Sequence, residues 1–169
     1  VTKPPATWIF SGVTSVTTVT TALTASIVPI APTGRDTATA PRAGRPHAAA
    51  KPVRWAADIV SVMREGARLR LDHSAQSLWR VDRVIDDLRR EGAPYPAVAR
   101  VLRGFGAYAG EVIVRQAGGE WWATGAEHWV RTPEGRLWDP IEEARRCFGG
   151  HGSLRLLCRE AAASAKSAQ

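Results

Sequence analysis

Apolar residues recur at helical spacing in three stretches, give way to a strand pattern, and return to helical spacing twice. Trp55, Ile59, Val62, Met63 and Gly66 fall at intervals that predict a first helix over 54–68. Asp72-His73-Ser74 offers side-chain oxygens to cap a second helix over about 75–91, with Leu78, Val81, Ile85 and Leu88 as its apolar stripe. Gly92 and Pro94 end it, and Asp82, Asp86, Asp87, Arg83, Arg89 and Arg90 lie mostly off the stripe, as on a solvated face. A third helix over about 96–117 shows Val98, Val101, Leu102, Phe105, Val112 and Ile113 on its apolar side. Gly104, Gly106 and Gly110 each cost about 1 kcal/mol relative to Ala in a helix interior, a cost tolerated where another element must approach the backbone. The β-branched run Val112-Ile113-Val114 leaves open a strand over 110–117.

Gly118-Gly119 breaks the chain and Glu120–Ala123 opens a strand. In His128-Trp-Val-Arg-Thr-Pro-Glu-Gly-Arg-Leu-Trp-Asp139, Pro133 presets a type I turn and Gly135 takes the left-handed position of a three-residue hairpin loop. That register puts Val130 opposite Trp138 on one face, with Trp129, Arg131 and Leu137 on the other; a one-residue slip would exchange the faces. Asp139-Pro140-Ile141-Glu142 combines an N-cap carboxylate, a proline at the first position and a glutamate at the third, and so starts a short helix ending at Gly149-Gly150. Ser153 opens a last helix through Leu154, Leu157 and Cys158. Three helices, a small antiparallel meander and two helices make an α+β fold, a two-layer single domain over 53–163 with a frayed end at 164–169.

Composition separates this domain from what precedes it. Residues 1–52 are rich in Thr, Ala and Pro, which predicts a disordered tail. The other six of the seven tryptophans, all but Trp8, fall in the remainder. A segment of roughly 110 residues buries around two thirds of its unfolded surface and needs no metal or disulfide to fold. The net charge of +7 divides unevenly. Residues 1–54 carry six Lys/Arg against Asp36, residues 55–160 carry sixteen Arg against fifteen Asp/Glu, and Lys166 supplies the last positive charge. The domain is therefore close to neutral, with no surplus for the basic face that nucleic acid demands. Nucleic-acid or anionic-surface association would fall to the tail. Lys3 followed by the uncharged run from Pro4 to Gly34 resembles a secretory signal, but its threonines dilute the apolar region and make it too polar for a membrane span. A disordered leader, or upstream sequence taken in by a misplaced start, is the simpler expectation. A cytoplasmic location follows, or secretion if residues 1–40 act as a signal.

Little chemistry is spelled out. Cys147 and Cys158 read as small core residues, and their spacing to His128 and His151 matches no zinc pattern, so no cofactor or metal is expected. No G-x-S-x-G, P-loop or dinucleotide fingerprint occurs. Tyr108, Glu111 and His128 are the groups that could line a cleft between the third helix and the sheet. The adjacent Trp121 and Trp122 point to opposite faces of a strand, so one enters the core while the other is covered or left exposed. With helices on one face only, a patch drawn from Trp121, Trp129, Arg131 and Leu137 would remain as a protein interface.

The run Leu71-Asp-His-Ser-x-x-Ser-Leu78, then Gly106-Ala-Tyr-x-Gly-Glu-Val112, Trp122, and the Gly135 hairpin ending at Asp139-Pro140, resembles the bacterial domain-of-unknown-function families numbered 3806 and 6278. The resemblance covers about 55–160; it implies a compact α+β domain and carries over no catalytic residue. The expected function is a protein-binding module, regulatory or immunity-type. The alternative is a ligand binder or enzyme at the Glu111 cleft.

Overall fold

A computed structural model describes residues 45–167. Its elements are α1 (Arg45–Gly66), α2 (Ala75–Arg90), α3 (Tyr95–Ala117), β1 (Glu120–Thr124), β2 (Glu127–Arg131), β3 (Leu137–Trp138), α4 (Pro140–Phe148) and α5 (Leu154–Ser167). The fold is α+β, with helices, an antiparallel strand meander in the order β1-β2-β3, and helices again. Residues 1–44, which hold most of the expected tail and the signal-like run, and residues 168–169 lie outside the described residues.

The first helix begins at Arg45, nine residues before the periodicity announces it, and so takes in the last part of the segment read as tail. Pro52 lies inside it. An interior proline removes a backbone hydrogen bond and crowds the preceding turn, so sequence alone stops a helix there. Here Pro52 is fully buried, and packing offsets the local cost. The starts of α2 and α4 follow their caps. Ser74 Oγ accepts from Ser77 N–H at 3.1 Å, and Asp139 Oδ1 accepts from Glu142 N–H at 2.9 Å. All four residues of the α2 stripe are buried. The segment 110–117 is helical, and α3 ends where Gly118 turns left-handed at φ 69°.

The hairpin has the expected register, Val130 facing Trp138 and Arg131 facing Leu137. Gly135 (φ 85°) closes its loop, with Thr132 N–H donating to Arg136 O at 3.0 Å. Across β1–β2, Trp121 faces Val130 and Trp122 faces Trp129, joined through a two-residue turn in which Gly125 has φ 62°. That turn supplies the strand register that glycine and alanine alone leave unannounced.

Every other helix, together with β1 and β2, touches α3. Leu102, Phe105, Tyr108, Val112 and Ile113 of α3 are all within 1 % of full burial, among Ile59 and Met63 of α1, Leu78 and Ile85 of α2, and Leu154 and Cys158 of α5. The three α3 glycines are where the neighbours come closest. A Cβ at Gly106 would lie 2.5 Å from Ile141 Cα and 2.6 Å from Pro140 O, so the backbone of α4 rests directly on the α3 backbone. A Cβ at Gly110 would run into the six-membered ring of Trp121, and one at Gly104 would lie 2.9 Å from Ile59 Cβ. Each large side chain that this closeness buries contributes about 1.5–3 kcal/mol, which outweighs the roughly 1 kcal/mol that each glycine costs the helix.

Gly106→Ala is expected to destabilise the chain by about 2–3 kcal/mol in urea titration, because the obstructing atoms are backbone and overpacking exceeds the helix-propensity gain. Gly66→Ala, which meets nothing within 4 Å, should be neutral or mildly stabilising. Equal stability of the two variants would contradict this account of α3.

Candidate functional site

The groups expected to line a cleft are held by different partners. Tyr108 is fully buried and faces the start of α2. His73 N–H donates to its hydroxyl at 2.6 Å, and Ser77 Oγ donates to Ser74 O at 2.7 Å. The phenolic proton is thereby directed to Ser77 Oγ, 2.6 Å away. This network holds His73 at φ 62°, left-handed for a side-chain-bearing residue, with its ring 4.8 Å from that of Tyr108. Burial pushes the Tyr108 phenol above its ordinary range, so it stays a neutral donor rather than a base. Glu111 accepts the indole N–H of Trp121 at 2.8 Å. His128 packs edge-on against Trp55 of α1 at 5.1 Å, with Nδ1 3.1 Å from Ala126 O. Neither cavity described below is lined by any of the three.

The sheet separates its tryptophans as strand alternation requires. On its inner face Trp121 and Trp138 are 7 % and 5 % exposed, and both indole N–H groups have acceptors, Glu111 Oε1 for Trp121 and Thr132 Oγ1 at 3.3 Å for Trp138. Trp121 therefore belongs to the core and not to a surface patch. On the outer face Trp122 is 42 % and Leu137 50 % exposed, and Trp129 and Arg131 are half-buried. Trp122 stands directly opposite Trp129. The Arg131 guanidinium lies 4.8 Å from the Trp122 ring and bonds Glu120 Oε1 at 3.0 Å. The outer pair has no hydrogen-bond acceptor for either indole N–H among the described residues. At the end of this face a cavity of about 390 Å³ is lined by Gly118, Glu120, Arg131 and the hairpin loop Thr132–Gly135.

A second cavity of about 330 Å³ lies between α2 and the loop joining α4 to α5. Trp79, Asp82, Arg83, Asp86 and Arg89 form one wall, and Cys147, Gly150, Gly152 and Ser153 the other. Asp82 is not a solvated charge. It accepts Ser153 Oγ at 2.7 Å and Leu154 N–H at 2.9 Å, capping α5 from a different helix. Both cysteines are buried free thiols, and burial, reinforced by the Asp82 charge, pushes the Cys147 thiol up to about 12, leaving it unreactive.

Helical and strand periodicity located the outer residues Trp129, Arg131 and Leu137. It did not separate Trp122 from Trp121, and it passed over Ser77, His73 and Asp82. The distinguishing signal for the tryptophans was Gly110, eleven residues before Trp121, because only a ring entering the core needs a glycine to receive it. No protein-family model matches the chain, and no curated protein or solved structure matches it either. No helix among the described residues is long and apolar enough to cross a membrane.

Burial lowers the imidazole of His128 below its ordinary value, and burial followed by the Arg115 charge lowers that of His73. The unfolded imidazoles, near 6.5, bind protons while the folded ones are still neutral, so stability falls as pH drops below about 6.5. Asp139, raised by burial, acts in the opposite sense, and only in the carboxylate range. Urea midpoints should decline from pH 7.5 to pH 5.5, and less so in His128→Gln; a midpoint that rises over that interval would contradict the assignment. Tyr108→Phe leaves His73 N–H without its acceptor and should cost about 1–3 kcal/mol in the same titration.

Proposed function

We propose that this chain is a protein-binding module that engages its partner through the outer face of the sheet, at Trp122, Trp129, Arg131 and Leu137. The observation that supports this is the contrast between the two tryptophan pairs. Trp121 and Trp138 have acceptors and are buried, whereas Trp122 is exposed, Trp129 is half-buried, and neither indole N–H of this outer pair has an acceptor among the described residues. Tryptophan and arginine dominate binding energy where they lie together at an interface, and Arg131 is already fixed in place by Glu120 and Trp122. The near-neutral charge of residues 55–160 favours a protein over nucleic acid. Tyr108 and Glu111 are engaged by His73, Ser77 and Trp121, and His128 packs on Trp55 of α1, so the outer face carries more support than a ligand cleft at Glu111. A regulatory or immunity-type role belongs to the same proposal, as does kinship with the families numbered 3806 and 6278.

The test is capture from native-host lysate with the full chain as bait. A stoichiometric partner should be retained by wild type and by Trp79→Ala, whose indole is 46 % exposed on α2. Trp122→Ala should weaken that complex by about 2 kcal/mol, roughly 30-fold. A stoichiometric partner that survives both Trp122→Ala and Trp129→Ala would place binding elsewhere.

A further inference from the structure

We infer that two copies of this chain pair through the free edge of β1, antiparallel and centred on Trp122, so that the sheet of one copy continues into the other. The inference goes beyond the reading of the outer face, since it concerns the edge of the sheet. The ladder shows which backbone groups point to that edge. Thr132 N–H donates to Arg136 O on the β3 side. Hydrogen-bonded positions alternate along an antiparallel strand, so Val130 also bonds toward β3, and Arg131, Trp129 and Glu127 bond toward β1. Their partners Glu120, Trp122 and Thr124 therefore direct their N–H and C=O groups to β2. Trp121 and Ala123 direct theirs to the free edge, and these four backbone groups have no partner among the described residues.

A row of unpaired edge groups is a template for another strand, and proteins blunt the edges they do not use with short strands, proline, lysine or a covering element. The other edge of this sheet is blunted in that way: β3 is two residues long and is followed closely by Pro140. β1 has five residues, no proline and no lysine, and its one charge, Glu120, stands at its first position. Trp122, Ala123 and Thr124 are exposed along it. Helix α1 meets the strands on the inner face, where Trp55 packs on His128.

A second copy fits this edge because β1 is complementary to itself. Residues opposed across a strand pair share a face, so the register must set inner positions against inner and outer against outer. Centring on Trp122 sets Trp121 against Ala123 of the second copy, and Ala123 against its Trp121. All four outward groups of each copy then bond, and a large ring lies beside a methyl on the inner face. Trp122 meets its own counterpart as a non-hydrogen-bonded pair, the closer kind, with Cα atoms about 4.5 Å apart. That contact joins the Trp122–Trp129 pairs of the two copies into one aromatic row on the outer face. Glu120 falls opposite Thr124, so no like charges meet. Centring on Trp121 or on Ala123 would instead set the remaining groups against Gly119 or Gly125, which lie outside the strand.

Sedimentation velocity of the full chain over a range of concentrations should show a reversible dimer. Ala123→Pro removes an N–H that points to the edge and none that points to β2. It should weaken the dimer roughly tenfold or more, with a urea midpoint close to wild type. Trp122→Cys gives a reading that does not depend on the proline. Cysteines opposed in this register lie within the roughly 4.4–6.8 Å Cα separation of a disulfide, and oxidation should crosslink two copies. Thr124→Cys, opposite Glu120, should not crosslink. Crosslinking through Thr124→Cys in place of Trp122→Cys would overturn the register. A monomer at every concentration with no crosslink, or a dimer unchanged in Ala123→Pro, would overturn the pairing itself. Capture of a partner from lysate is read separately, because Ala123→Pro leaves Trp122, Trp129, Arg131 and Leu137 in place and should retain it.

Discussion

The close approach of α4 and of the Trp121 ring to the backbone of α3 is the contact on which the rest of the molecule depends. Two helix backbones meet at Gly106 with no side chain between them, and one turn further on Gly110 receives an indole. Because α4 rests on Gly106, the hairpin that precedes it is held against α3 through β2, with Val130 and Trp138 buried. Because Trp121 enters at Gly110, β1 has a fixed rotation. That rotation sends the neighbouring Trp122 outward, since successive strand residues alternate faces. The exposure of the candidate binding face is therefore a consequence of how the core is closed.

The polar residues of α3 complete the same arrangement. Tyr108 reaches Ser77 and the His73 turn, and Glu111 reaches Trp121, while Cys158 donates to Ala109 O at 3.5 Å from the α5 side. Buried polar groups stabilise only when paired, and none of the buried side-chain polar atoms among the described residues lacks a partner. The stretch that stands out in the sequence, Gly-Ala-Tyr-x-Gly-Glu, thus specifies which elements sit where. Its residues look like chemistry in one dimension and act as joints in three.

Much of the fold was legible because its signals are local. The α2 stripe, the Ser74 and Asp139 caps, the Gly118 stop and the Pro133–Gly135 hairpin each follow from residues within a turn or two of one another. The parts that were not legible depend on contacts across the chain. Pro52 sits inside a helix that local rules would stop, and it is fully buried there. Asp82 caps a helix seventy-two positions away at Leu154, which no periodicity reveals. Trp121 and Trp122 are equivalent to any local rule, and only the glycine facing one of them breaks the tie. The same limit applied to the candidate site. Trp129, Arg131 and Leu137 follow from alternation, but which tryptophan joins them required the register across β1 and β2.

The most direct measurement of this division is hydrogen exchange at the tryptophan indole N–H groups, resolved by NMR in the full chain. Trp121 and Trp138, buried and hydrogen-bonded, should exchange only on unfolding of the core, whereas Trp122 and Trp129 should exchange at rates near those of free indole. Protection of Trp122 and Trp129 equal to that of Trp121 would mean that the outer face is covered within the molecule, and would contradict the assignment of that face to a partner.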